Sequence, residues 1–113
     1  MQLLSYFVLR QIHVQPLYAV YWWHKAAEQE FAEAQYSLGN AYHNGEGVKP
    51  DDEKAVYWWH KAAEQGDAEA QYSLGYAYHN GEGVKPDDEK AVYWYHKAAE
   101  QGYAQAQYNL GFA

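Results

Sequence analysis

The stretch YWWHKAAEQ begins at Tyr21 and recurs at Tyr57, and YWYHKAAEQ follows at Tyr93, so the same text returns every 36 residues. Comparing 21–56 with 57–92, only three of 36 positions differ: Glu30/Gly66, Phe31/Asp67 and Asn40/Tyr76. A third copy starts at 93 and is incomplete at 113. A period of this length restricts the chain to a stacked array, in which no unit buries its apolar face alone and each is covered by its neighbours.

Each unit reads as two helices. The first spans about Ala32 to His43, and again Ala68 to His79, with Ala34, Leu38, Ala41 and Tyr42 at helical spacing. Gly39 and Gly75 fall mid-helix, where Gly costs about 1 kcal/mol against Ala. Close approach of a neighbouring helix would explain that cost. The run Asn44-Gly45-Glu46-Gly47-Val48-Lys49-Pro50 then breaks the pattern, with Gly45 suited to a left-handed stop and Pro50 unable to continue a helix. The second helix is expected over Asp51 to Gln65, capped by Asp51 and ended by Gly66. Its apolar positions Ala55, Trp58, Trp59, Ala62 and Ala63 make one stripe. Tyr57 and Tyr93 fall on the opposite, outer side.

The segment from Ala68 to Gly102 resembles the Sel1-like repeat (SLR), a relative of the tetratricopeptide repeat. The matching residues are Ala70, Leu74, Gly75, Tyr78, Gly81, Gly83, Val84, Asp87, Ala91, Trp94, Ala98, Ala99 and Gly102. A glycine-rich loop longer than that of the tetratricopeptide unit favours this class. The resemblance covers about 17–113 and implies an all-α fold: a right-handed α/α superhelical solenoid of antiparallel helix pairs, first helices lining a concave groove. It further implies an adaptor for protein complexes. Some members are associated with β-lactam binding or with export of carbohydrate polymers. The former are cysteine-rich, and a chain without Cys does not inherit that activity. Residues 1–16 do not complete an upstream unit, because the loop glycines would fall at Leu9 and Gln11. They read either as a cap with a Leu4-Val8-Ile12 stripe or as an irregular lead, with Pro16 opening a helix near Leu17.

A formal net charge of −7 with 8 Lys and Arg is opposite to what phosphate-backbone binding requires, so nucleic acid is not an expected partner. The apolar run Leu3 to Leu9 is far short of the roughly 20 residues needed to cross a bilayer. With no Cys there is no disulfide framework and no thiolate zinc site, which favours the cytoplasm slightly and does not exclude export. His24, His60 and His96 share one repeat position, and His43 and His79 another. Repeat translation separates equivalents by a helix pair, so they read as solvated helix faces and not as ligands of one metal ion. The Gly45-Glu46-Gly47 loop and its copy at Gly81 follow helices and lack the Lys-Ser/Thr of a phosphate loop. No catalytic constellation stands out, so neither an enzyme nor a cofactor is expected.

Differences among the copies point to a surface. Glu33/Glu69/Gln105, Ser37/Ser73/Asn109 and Asn40/Tyr76/Phe112 are spaced i, i+4, i+7 on the first helix and form one stripe. By resemblance this stripe overlaps the concave face, together with Tyr36, His43, Asn44 and their counterparts Tyr72, His79, Asn80 and Tyr108. Tyr and Phe anchors among Asn, Ser and Glu groups suit a peptide or protein segment. The alternatives are a carbohydrate or cell-wall ligand stacked on tyrosines, and a repeat unit that only self-assembles. The incomplete third copy is expected to leave Ala106 and Leu110 without cover and so to promote self-association.

Overall fold

The computed structural model describes residues 16 to 112, and every regular element among them is an α-helix. In chain order these are α1 (Pro16–Glu28), α2 (Ala32–Asn44), α3 (Asp52–Glu64), α4 (Ala68–Asn80), α5 (Asp88–Glu100) and α6 (Ala104–Leu110). The helices α2, α4 and α6 are the first helices of successive units, and α1, α3 and α5 the second ones. Each packs on its neighbour in sequence, giving an elongated array of 52 × 29 × 23 Å. The radius of gyration is 15.6 Å, above the roughly 13 Å of a compact domain of about this size. This is an α/α solenoid. Pro16 opens α1, and the readings offered for the residues before it lie outside the described ones.

Local chemistry sets the boundaries. Asp51 stands just before α3 in an extended conformation, and its side chain accepts a hydrogen bond from the Lys54 amide at 3.1 Å; Asp87 does the same for Lys90. Gly45 and Gly81 end α2 and α4 in the left-handed conformation, at φ +71° and +70°, and their amides donate to Ala41 and Ala77. The connecting loop is then closed twice. The Asp51 amide donates to the Tyr42 carbonyl at 2.9 Å, and His43 Nδ1 lies 2.8 Å from Asp52 Oδ1. The copy repeats both contacts with Asp87, Tyr78, His79 and Asp88.

The core alternates small residues and large rings. Ala55, Ala62, Ala63, Ala70, Leu74 and Ala77 surround Trp59 and Trp94, while Val20, Ala27, Ala34, Leu38 and Ala41 surround Trp58. The glycines at 39 and 75 are explained by these rings: a β-carbon at either would run into Trp59 or Tyr95. Two buried glutamines link one unit to the next. Gln35 donates to the Ala27 carbonyl at 3.2 Å and accepts from Gln65 at 2.7 Å; Gln71 donates to Ala63 at 3.1 Å and accepts from Gln101 at 2.9 Å. The amides thereby add a second hydrogen bond to carbonyls at the ends of α1 and α3 that already accept from the Glu30 and Gly66 amides.

Candidate functional site

The residues singled out on the first helices divide into two groups. Tyr36 and Tyr72 are half-buried. Tyr72 stacks against Tyr95 and Tyr103, with ring centroids 5.5 and 5.2 Å away, and its hydroxyl lies 3.4 Å from Asn109 Nδ2. Burial raises the pKa of Tyr36 above 10.0; Glu69 of the next unit adds to the rise, while hydrogen bonding to Asn40 and Ser73 opposes it. These two tyrosines therefore join successive units as much as they face outward. Asn40 is also engaged, its Oδ1 accepting from the Trp59 indole at 3.1 Å.

The second group is open. Glu33, Asn44, Glu69, Tyr76, Asn80, Gln105, Tyr108 and Phe112 are exposed, and so are His43 and His79 beside their aspartates. Tyr76, His79, Asn80 and Phe112 converge with Val92 and Tyr95 on one cleft of about 520 Å³ between α4, α5 and α6. Asn80 Nδ2 donates to the Tyr76 carbonyl at 3.0 Å, holding the mouth of this cleft in shape. Tyr95 is buried at its wall. Burial raises its pKa above 10.0, with Tyr72 contributing and Asn109 opposing.

The cleft has a cause in the sequence. In the preceding unit a Trp at position 59 is matched by Asn40; here a Tyr at position 95 is matched by Tyr76. The larger indole is tied down by the amide, whereas the smaller ring leaves Tyr76 turned outward. The Asn40/Tyr76 difference was legible in the sequence, but its coupling to the Trp59/Tyr95 difference was not. The paired positions lie 19 residues apart in the chain and are brought together only by the packing of the two helices.

One expectation needs correction. Ala106 is fully buried and Leu110 half-buried, because both pack on Ala91, Tyr95 and Ala98 of α5. The exposed apolar groups at this end are instead Tyr108, Phe112 and Val92. The His residues of the second helices lie on partly or fully exposed helix faces. His24 and His60 set their rings edge-on to Trp58 and Trp94, and His24, His60 and His96 each lie 3.3–3.6 Å from the Glu four residues on. Among the described residues no three His, Asp or Glu side chains come together as metal ligands, and no helix is long and apolar enough to cross a membrane.

The Sel1 repeat model matches four consecutive segments, 11–31, 32–67, 68–103 and 104–113. The chain belongs to the Sel1 repeat family. No curated protein matches it. Among solved structures, this Sel1 repeat array is similar to c5321, a protective antigen of uropathogenic Escherichia coli strains that displays an SLR fold, at TM-score 0.81 and 46% identity over 82% of this chain and 20% of that one. It is similar to a Sel1 repeat protein from Oxalobacter formigenes at TM-score 0.73 and 44% identity, over 74% of this chain and 35% of that one. For the cysteine-rich protein B of Helicobacter pylori the values are 0.74 and 32%, over 77% and 65%. The array thus spans between a fifth and about two-thirds of these relatives. Sel1 repeats generally mediate protein–protein interactions.

Proposed function

We propose that the array is a non-enzymatic adaptor whose first helices form a groove for an extended peptide or protein segment, with Tyr76 as the principal anchor. The observation that carries this reading is the cleft of about 520 Å³ beside Tyr76, where apolar Val92 and Phe112 sit among the polar groups of His79, Asn80 and Asn109. Such a mixture takes an apolar side chain while offering hydrogen bonds to the backbone that carries it. Asp88 lines the same cleft, which favours a segment bearing Lys or Arg.

The test begins with affinity capture of a partner and measures its binding to two variants. Tyr76→Ala is expected to weaken binding about thirtyfold or more, the usual effect of truncating an anchor worth about 2 kcal/mol. Its melting temperature should barely change, since the ring is exposed and the preceding unit has Asn40 at that position. Trp58→Ala should do the converse, losing about 3–5 kcal/mol of stability as a buried ring is replaced by a cavity. Unchanged affinity in Tyr76→Ala would remove the groove reading. Selective capture on a glycan array, with no peptide bound, would replace it by carbohydrate binding.

A further inference from the structure

Where α2 and α4 end, the chain reads Asn-Gly: Asn44 is the last residue of α2 with Gly45 after it, and Asn80 the last of α4 with Gly81 after it. Both asparagines are exposed. An Asn before Gly is open to attack by the backbone on its side chain, because the glycine amide has no β-carbon beside it to hinder the approach. The fold opposes that attack at both places. The Gly45 and Gly81 amides each donate at 2.8 Å, to the Ala41 and Ala77 carbonyls, and Asn80 Nδ2 donates to the Tyr76 carbonyl at 3.0 Å. The rings of Pro50 and Pro86 fill the places that β-carbons on the two glycines would take. His43 and His79 then pin the loops to the following helices, at 2.8 Å from Asp52 and 3.0 Å from Asp88. Residues 41–52 and 77–88 are identical in sequence, so the two sites share one local chemistry.

We propose that Asn44 and Asn80 are sites of spontaneous deamidation, each gated by the opening of the helix end that it occupies. While the end is closed, the glycine N–H is committed to a carbonyl of the preceding turn and its nitrogen cannot turn toward the asparagine Cγ. Helix ends open locally at free energies below that of global unfolding, so the reaction follows that opening. In the opened end the glycine nitrogen loses its proton and bonds to Cγ. The Cγ–Nδ2 bond breaks, Nδ2 leaves as ammonia, and a five-membered succinimide is left. Water opens the ring at one of its two carbonyls and gives aspartate or isoaspartate. The sum is one amide and one water converted to one carboxylate and one ammonium ion, with no oxidant or reductant. The new carboxylate stands at the negative end of a helix, where a like charge is unfavourable. Isoaspartate also adds a carbon to the main chain, so the left-handed cap cannot close in its former register. At Asn80 the modification puts a second carboxylate in the cleft that Asp88 lines. The reaction needs no partner and holds whatever the groove binds.

The test incubates the full chain in mildly alkaline buffer beside a synthetic peptide of residues 41–52, whose sequence serves for both loops. Peptide mapping by mass spectrometry follows each asparagine separately. Both sites should deamidate in the folded chain, at least about tenfold more slowly than in the peptide. Asp52→Ala removes the partner of His43 and should speed Asn44 several-fold, while Asn80 in the same molecule keeps its rate. Asp52→Asn leaves His43 a hydrogen-bonding partner and should restore the slow rate. Circular dichroism checks that both variants stay helical. No product at either site once the peptide is fully converted overturns the proposal, and so does a folded chain that reacts as fast as the peptide. Equal acceleration of Asn44 and Asn80 by Asp52→Ala overturns it as well, because the rate would then follow global unfolding and not the helix end.

Discussion

At Gly39 two effects of adding a methyl group oppose each other. Ala is better than Gly in a helix interior by about 1 kcal/mol. A β-carbon there, however, would collide with the Trp59 ring and lie 3.1 Å from the Ala55 carbonyl, and overpacking costs typically about 1–3 kcal/mol. The ring is held by Asn40 and cannot swing aside freely, so the collision outweighs the propensity gain. Gly39→Ala is expected to lower the melting temperature, and Gly39→Ala combined with Trp59→Tyr should not recover it, because Tyr95 crowds Gly75 in the same way. Thermal unfolding of both variants checks this. The glycines were legible because a helix-breaking residue repeated in register demands a reason. The buried Gln35 and Gln71 were not read from the sequence, although the same residue recurs at Gln107. Their role depends on carbonyls eight residues back and on Gln65 and Gln101 of the neighbouring helix, and no local pattern reports such a meeting.

Helix by helix, the two other differences between the full copies are both about how a first helix begins. Asp67 caps α4 by accepting from the Ala70 amide at 3.0 Å, whereas Phe31 offers α2 no side-chain cap. Gly66 takes φ +97°, and Glu30 in its place is held at φ +67°, a conformation most residues avoid. Phe31→Asp should therefore stabilise the protein by about 1 kcal/mol, the usual worth of an N-cap, seen as a rise in the denaturation midpoint with unchanged slope. No gain would mean that the exposed Phe31 ring serves packing. Glu30→Gly is a less clean test, since Glu30 also accepts from Gln35 at 3.3 Å. The helix boundaries followed the sequence to within a residue, because Asp, Gly and Pro act locally. The candidate site did so only in part: exposure at Tyr76 and Phe112 matches the variable stripe, while Tyr36 and Tyr72 are half-buried against side chains of other elements.

Across the whole molecule, burial raises the pKa of Tyr36, Tyr95 and Tyr103 above 10.0, and these hydroxyls lie where units join. A hydroxyl whose pKa is higher folded than unfolded holds its proton more tightly in the native state. Its contribution is intact below about pH 10 and is lost as the pH climbs through the folded value. Melting temperature should accordingly fall with rising pH in the alkaline range, and less steeply in Tyr36→Phe; an equal slope in that variant would separate Tyr36 from the effect. The array also has a mechanical character that follows from helices packing on their sequence neighbours. Tension applied at its ends loads the units in series, as links of a chain, so they should yield one after another. Each 36-residue unit, once pulled straight, would lengthen the tether to at most about 120–130 Å of extended chain. Near-identical units then resist with near-identical force, which makes the molecule a spring of equal steps.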